Sequence, residues 1–174
     1  MRENEDGTVF WECTRLNLRI QKSTRIFSPA NSKSILDNLA YRKQIEFWTK
    51  QGYMLRYTGS LSADANLILI KGEGIYCSIG SNLQKTKLRI LYECVPLAFL
   101  IEQAGGLSSD GQASLLDVCV DGYYQKSNII IGSKDEVERL QRYFTAEKRK
   151  LEKSGSPVKD KHEKRYRIDS NISS

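Results

Sequence analysis

Short runs with a two-residue hydrophobic period alternate along the chain with longer runs of helical period. The first strand is predicted over residues 14–20, where Leu16, Leu18 and Ile20 alternate with polar residues. Further strands are predicted at residues 53–57, 74–79, 115–118 and 128–131. The last of these is a continuous apolar run, which is typical of a strand buried on both faces.

Four segments have the pattern of helices, at residues 34–50, 62–70, 93–104 and 136–144. The third is apolar on almost every side, which favours a buried helix; Pro96 falls in its first turn, and Gly105 and Gly106 end it. Strands that alternate with helices predict an α/β fold, a three-layer αβα sandwich with helices on both faces of a mixed sheet.

A basic pair and an acid stand close together where one predicted strand runs into the buried helix. Lys87 and Arg89 alternate with apolar residues, so in a strand both cations project from one face. Glu93 follows at the helix start, where a buried carboxylate needs a metal ion or an arginine as a partner. Two plainer readings remain open: a solvated face for the cations, and an acid that only stabilises the helix dipole.

Charge is unevenly distributed along the 174 residues, whose formal net charge is +6. Residues 146–174 hold nine Lys/Arg against five Asp/Glu, a net of +4, so the rest of the chain is close to balanced at +2. This basic tail is predicted to be a frayed extension of the preceding helix followed by disorder. A nucleic-acid partner is therefore a weak alternative, which predicts salt-sensitive binding through the tail.

The sequence also limits the compartment in which the protein works. No run of 18 apolar residues is present, so no membrane partner is predicted, and the first residues are too polar for a signal peptide. The four cysteines are widely spaced, which favours reduced thiols over a zinc site or disulfides. An intracellular location, cytoplasmic or plastid, follows as an expectation.

Several ordered blocks resemble one enzyme family. Residues 87–96, Lys-Leu-Arg-Ile-Leu-Tyr-Glu-Cys-Val-Pro, are similar to the signature segment of class I fructose-1,6-bisphosphatase, and residues 55–64 are similar to a second block. Residues 27–31, 36–38 and 108–111 are closer to the sedoheptulose-1,7-bisphosphatase branch. Ser78 stands where fructose bisphosphatases have a tyrosine, which is again similar to that branch and leaves room for a longer sugar.

This resemblance implies roles for seven residues. Glu93 matches a carboxylate that helps to hold the catalytic Mg²⁺ near the 1-phosphate. The substrate-binding residues that it implies are Asn31 in the pocket, Arg56 toward the distal phosphate of a neighbouring subunit, Tyr57 as a donor to the distal phosphate, Leu61 against the sugar, and Lys87 and Arg89 lining the sugar and phosphate pocket. Without the resemblance, Arg56 and Tyr57 read as edge-strand residues.

The resemblance covers the C-terminal half of the family only. It implies three segments: residues 1–25 as a remnant of a preceding segment with one strand, 26–145 as the C-terminal domain, and 146–174 as the tail. Nothing in residues 1–30 resembles the paired glutamates and the Asp-Pro-Leu-Asp-Gly-Ser motif that supply most metal ligands.

The expected function is the substrate-binding part of a magnesium-dependent sugar bisphosphatase. It would cleave the 1-phosphate of a sugar bisphosphate, would be inactive alone, and would assemble as a dimer or tetramer when full length. The alternative is a non-catalytic subunit that binds sugar phosphates or serves as an oligomer partner.

Overall fold

The computed structural model describes residues 2–10, 12–13 and 15–153. A short antiparallel hairpin precedes the main body, with strands Arg2–Glu3 (β1) and Val9–Phe10 (β2). The strands of the main sheet are Ile26–Ala30 (β3), Met54–Leu55 (β4), Ile75–Ser78 (β5), Leu107–Ser109 (β6) and Ile129–Gly132 (β7). The helices are Leu39–Lys50 (α1), Leu61–Lys71 (α2), Val95–Gln103 (α3) and Lys134–Lys153 (α4).

The main sheet is mixed, in the order β4-β3-β5-β7-β6. The three strands β4, β3 and β5 are parallel, and β7 runs antiparallel to both β5 and β6. Helices α2 and α3 pack on one face, and α1 and α4 pack on the other. The predicted α/β sandwich with a mixed sheet is therefore confirmed.

The centre of the sheet is buried on both sides because its two middle strands, β5 and β7, are apolar at almost every position. In β7, Ile129 and Ile131 belong to the core under α2 and α3, whereas Ile130 belongs to the core under α1 and α4. Tyr76 and Cys77 of β5 divide between the two cores in the same way. The prediction that the strand near residues 128–131 is buried on both faces is confirmed.

The strand predicted over residues 14–20 is wrong for its described part, residues 15–20; Thr14 lies outside the described residues. Asn17 has a left-handed backbone (φ 55°), which breaks the alternation, and Leu16 is exposed. The segment runs across two helix ends instead: the Ile20 N–H donates to Ala104 O at 2.8 Å, and the Gln21 N–H donates to Gly72 O at 2.8 Å. Carbonyls at helix ends lack intrahelical partners, so this segment satisfies two of them.

Local capping explains two further differences from the predicted elements. The predicted helix 34–50 is a 3₁₀ turn, Ser32–Leu36, followed by α1, because the Asn38 side chain accepts the Tyr41 N–H at 3.0 Å and starts a new helix. The predicted strand 115–118 is the 3₁₀ turn Leu115–Asp117, capped by the Ser114 hydroxyl.

The predicted strand around Lys87 and Arg89 is also wrong. The segment is extended but makes only an isolated bridge, Arg89 to Lys126, and then enters a π turn at Ile90–Cys94 before α3 begins. Its neighbour is a loop rather than a strand. The segment that carries the two cations is therefore not a strand of the main sheet.

Helix α4 extends beyond the predicted start of the tail at residue 146. It continues to Lys153, and Glu147 accepts a hydrogen bond from Lys43 of α1. The predicted helical extension is thus observed over residues 146–153, while residues 154–174 lie outside the described part of the chain. Within the described residues no helix has both the length and the apolar content needed to cross a bilayer.

Candidate functional site

The candidate site lies at one edge of the main sheet, where the three parallel strands have their carboxyl ends. Asn31 follows β3, Arg56 and Tyr57 follow β4, and the segment 79–94 follows β5. Carboxyl ends of parallel strands meet at one edge of a sheet, where α/β folds commonly bind ligands. The topology therefore places the predicted residues of all three segments along a common edge.

The hydrophobic core under α2 and α3 extends to this edge of the sheet. Ala30, Tyr76, Ile90 and Cys94 are buried in the core under α2 and α3, and Leu61 and Leu88 pack against it. Leu61 is itself a predicted site residue. Leu88 lies between Lys87 and Arg89 and packs against this core. This packing holds the backbone between the two cations in place.

The end of β4 is held by polar contacts to its neighbours. The Arg56 N–H donates to Phe27 O at 2.9 Å, and the Ser28 hydroxyl donates to Arg56 O. Asp64, which is fully buried in the first turn of α2, accepts the Thr58 N–H at 3.2 Å. These contacts fix the turn that carries Arg56 and Tyr57, whose side chains are exposed.

Tyr57 lies near the buried phenol of Tyr76. Burial raises the pKa of Tyr76, and the neighbouring Tyr57 raises it further, with smaller contributions from Cys77, Asp64 and Cys94. Tyr76 therefore stays protonated at neutral pH.

Asn31 has a structural use in this structure. Its backbone is left-handed (φ 55°), and its side-chain nitrogen donates to Ile79 O at 2.7 Å and to the Ser34 hydroxyl at 2.8 Å. The amide thus joins the ends of β3 and β5. Because the amide nitrogen already donates two hydrogen bonds, Asn31 would contact a ligand through its amide oxygen.

Arg89 and Glu93 form an ion pair. The π turn places the two residues one turn apart, with Arg89 Nη1 3.7 Å from Glu93 Oε2. The same oxygen accepts the Arg89 backbone N–H at 2.7 Å. Of the two partners predicted for Glu93, the structure shows the arginine. Lys87, two residues earlier, is exposed.

The described residues do not by themselves make a metal centre. Among them, no group of three His, Cys, Asp or Glu side chains stands close enough to hold a metal ion. Mg²⁺ prefers several oxygen ligands in octahedral geometry, and Glu93 offers one carboxylate that is already paired. A carboxylate is a ligand that Mg²⁺ accepts, but a single carboxylate is too few for a magnesium site.

The buried thiols are not nucleophiles at neutral pH. Burial raises the pKa of Cys77 to about 12, and burial together with the charge of Glu93 raises the pKa of Cys94 to about 12. All four cysteines are described, and all four are free. Cys94 is a packed residue of the core under α2 and α3.

A cavity of about 800 Å³ opens at the same edge, on the side of α1 and α4. Its lining includes Lys85 and Thr86 from the loop after β5, but none of the seven predicted site residues is among the residues lining it. Leu61, and Leu88 between the two cations, instead pack on the α2 and α3 side. The cavity therefore gives no further evidence that the predicted site residues lie together.

Sequence reasoning did not assign a site role to Ser28 or Asp64. Both are buried polar residues that hold the end of β4 rather than face a ligand. Asp64 was recognisable as an acid in the first turn of a helix, but that pattern usually means a dipole contact. Only the fold shows that its carboxylate accepts a backbone N–H from the β4 turn.

Comparison with known proteins agrees with this architecture. The family model for "Fructose-1-6-bisphosphatase, C-terminal domain" matches residues 20–145. The chain belongs to this family, as the motifs indicated. It is 42% identical over 117 residues to a chloroplastic sedoheptulose-1,7-bisphosphatase of Triticum aestivum, covering 67% of this chain and 30% of that protein.

Other relatives include both branches of the family. The class 1 fructose-1,6-bisphosphatase of Cytophaga hutchinsonii is 37% identical over 134 residues, covering 74% of this chain and 39% of that protein. A crystal structure of a protein named as a sedoheptulose-1,7 bisphosphatase from Toxoplasma gondii has a TM-score of 0.72 and 41% identity, over 74% of this chain and 41% of that one. The chain thus spans well under half the length of these relatives.

Proposed function

We propose that this chain is the sugar-phosphate-binding domain of a sugar bisphosphate 1-phosphatase, of the sedoheptulose-1,7 or fructose-1,6 type. The observation that carries the proposal is the shared sheet edge, where Arg56 and Tyr57 follow one parallel strand and Lys87, Arg89 and Glu93 follow another. Arginine, lysine and tyrosine all donate hydrogen bonds to phosphate oxygens. The family membership supplies the class of substrate.

In this proposal the cations bind and orient the substrate. Arg56 and Tyr57 hold the distal phosphate, Lys87 and Arg89 reach toward the sugar and its 1-phosphate, and Leu61 packs against the sugar. Asn31 contributes through its amide oxygen. Holding a substrate in a fixed orientation lowers the barrier to reaction at the opposite end.

Magnesium would polarise the phosphoryl oxygens and activate water, and Glu93 would supply one of its oxygen ligands. The described residues lack the remaining ligands, so we propose that this chain binds sugar phosphates without hydrolysing bisphosphates by itself. A cytoplasmic or plastid location remains a prediction from the sequence.

Calorimetric titration of the whole chain with fructose 6-phosphate tests the proposed binding. A charge-assisted hydrogen bond contributes about 1.5–3 kcal/mol, so Arg56→Ala and Lys87→Ala should each weaken binding about tenfold or more. Lys71→Ala is the matched control, because Lys71 is exposed at the end of α2, at the opposite sheet edge. Binding that is absent, or equally affected by all three changes, would refute the proposal.

A non-catalytic sugar-phosphate-binding or oligomer-partner subunit is the second candidate. It is favoured by the single, paired carboxylate at the described site. It is also compatible with self-association at β4, an edge strand whose Met54 and Leu55 are exposed next to Arg56. Sedimentation with and without fructose 6-phosphate tests that assembly; a monomer at all concentrations would remove the role of Arg56 in a neighbouring site.

A further inference from the structure

Three tyrosine rings stand in a row beside Arg89. Tyr92 belongs to the π turn, and Tyr123 and Tyr124 belong to the loop before β7. The Tyr92 and Tyr123 ring centroids are 5.0 Å apart, and those of Tyr123 and Tyr124 are 5.1 Å apart. We refer to these three residues as the tyrosine row. Exposure rises along the row, from 42% at Tyr92 to 59% and 74% at the outer two.

Arg89 lies at the inner end of the row. Its guanidinium carbon is 5.9 Å from the Tyr92 ring centroid, within the range of a cation–π contact. Its Nε is buried and has no hydrogen-bond partner among the described residues. An aromatic face is an acceptor that can receive such an N–H. The other end of the guanidinium, Nη1, faces Glu93 at 3.7 Å.

The loop that carries Tyr123 is fastened to the backbone around Arg89. The Ile90 N–H donates to Gln125 O at 2.8 Å, and the Ser127 N–H donates to Leu88 O at 3.1 Å. The Gln125 side chain also accepts the Asp121 N–H at 2.6 Å, which closes the loop on itself. Tyr123 is therefore held against Tyr92 by a loop that is fixed on both sides of Arg89.

We propose that Tyr92, supported by Tyr123, is a positioning residue that holds the Arg89 guanidinium ready for an anionic group of the ligand. This inference rests on the proposed sugar-phosphate site. A free arginine side chain loses much rotational freedom when it binds an anion, so a surface that orients it beforehand reduces that loss. The aromatic face orients the guanidinium without adding a second negative charge to that of Glu93, which lies 3.7 Å from Nη1.

A double-mutant cycle measured by calorimetry with fructose 6-phosphate tests the coupling. A cation–π contact at an exposed site predicts that Tyr92→Leu weakens binding about two- to fivefold, whereas Tyr92→Phe, which keeps the ring, binds as the parent does. In an Arg89→Ala background, Tyr92→Leu should have no further effect. Tyr124→Leu is the matched control, because Tyr124 contacts Tyr123 rather than Arg89.

The position of the guanidinium is measured separately, by the NMR signal of the Arg89 Nε–H, assigned from its loss in Arg89→Lys. Ring current should shift this signal upfield in the parent and in Tyr92→Phe, and the shift should disappear in Tyr92→Leu. An unshifted signal, or an equal effect of Tyr92→Leu with and without Arg89, would overturn the inference. A chain that binds no sugar phosphate yet shows the shifted signal would sink the proposed function and leave the positioning of Arg89 supported.

Discussion

At the scale of single residues, the buried carboxylate of Glu136 is a polar link between helices α1 and α4. It lies in the first turn of α4 and is 1% exposed. It accepts hydrogen bonds from Trp48 Nε1 at 2.6 Å and from the Tyr53 hydroxyl at 2.9 Å, and it pairs with Arg139. Because donors surround it, its charge is compensated despite its burial.

Removing this carboxylate should therefore be costly. Glu136→Ala leaves a buried indole N–H and a nearby guanidinium without their acceptor, and we expect the free energy of unfolding in urea to fall by about 3 kcal/mol. Glu138→Ala is the matched control, because Glu138 is half exposed and lies 3.9 Å from Arg142. The control should change stability by about 0.5 kcal/mol or less. Equal effects of the two changes would contradict this account.

The two buried thiols predict how stability depends on pH. Burial raises the pKa of Cys77 and of Cys94 from about 9 to about 12, so the folded state holds these protons more tightly than the unfolded state. Their contribution is present below about pH 9 and is lost as the pH rises toward 12. Urea unfolding measured at increasing pH should show this decline.

Substitution identifies the groups responsible for that decline. Cys77→Ala and Cys94→Ala should each make the fall in stability above about pH 9 shallower, because an alanine carries no proton to lose. Cys119→Ala, at an exposed thiol, should leave the slope unchanged. A slope that none of the three changes alters would assign the alkaline decline to other groups, such as the buried phenols.

At the scale of elements, the backbones of the paired strands β5 and β7 come very close together at Gly132. Gly132 has φ +139°, and an added Cβ there would lie 2.1 Å from Gly74 O and 2.9 Å from Ile75 Cα. Both contacts are with backbone of the paired strand, which cannot move without breaking the sheet. Only glycine fits this position.

Gly132→Ala should accordingly destabilise the chain by about 3 kcal/mol or more, from left-handed strain and from the clash. Gly122→Ala is the matched control, because nothing lies within 4 Å of the added carbon. Urea unfolding followed by circular dichroism compares the two. A Gly132→Ala chain as stable as the parent would mean that β5 and β7 are not paired in this register.

Periodicity predicts an element well where residues of the same kind continue along its whole length. Strand β7 is apolar at almost every position and is buried on both faces, as the sequence predicts. The prediction of a helix buried on almost every side is wrong for α3, because Ala98 and Ile101 are buried but Phe99 and Leu100 are about half exposed. Strand predictions failed where one side chain decides the local backbone, as at Asn17 with its positive φ and at Ser114 with its capping hydroxyl. Such a choice depends on a single contact, which periodicity does not record.

The site was predictable only in part for a similar reason. The motifs locate Arg56, Tyr57, Lys87, Arg89 and Glu93 in the sequence, and the parallel strands bring their segments to one edge. The pairing of Arg89 with Glu93 depends on a π turn, and the fastening of the β4 turn depends on Asp64. Neither contact has a sequence signature that separates it from an ordinary helix start.

At the scale of the whole molecule, the two kinds of chemistry in a bisphosphatase are unequally represented. The described residues offer several cations and phenols at the sheet edge, but only one carboxylate among the predicted site residues. Phosphate binding needs donors, whereas two-metal catalysis needs a set of oxygen ligands. Binding and hydrolysis should therefore be separable in this chain.

This separation gives the prediction for magnesium. The purified 174-residue chain should bind fructose 6-phosphate with an affinity that Mg²⁺ changes less than about twofold, because one paired carboxylate holds the ion weakly. With fructose 1,6-bisphosphate or sedoheptulose 1,7-bisphosphate and Mg²⁺, it should release no phosphate above the blank. The sedoheptulose-1,7-bisphosphatase of Triticum aestivum, assayed in parallel, is the positive control. Phosphate release that requires Mg²⁺ and disappears in Glu93→Gln would contradict this prediction. It would show that this chain completes a catalytic centre, because activity would then depend on a metal ion held through the Glu93 carboxylate.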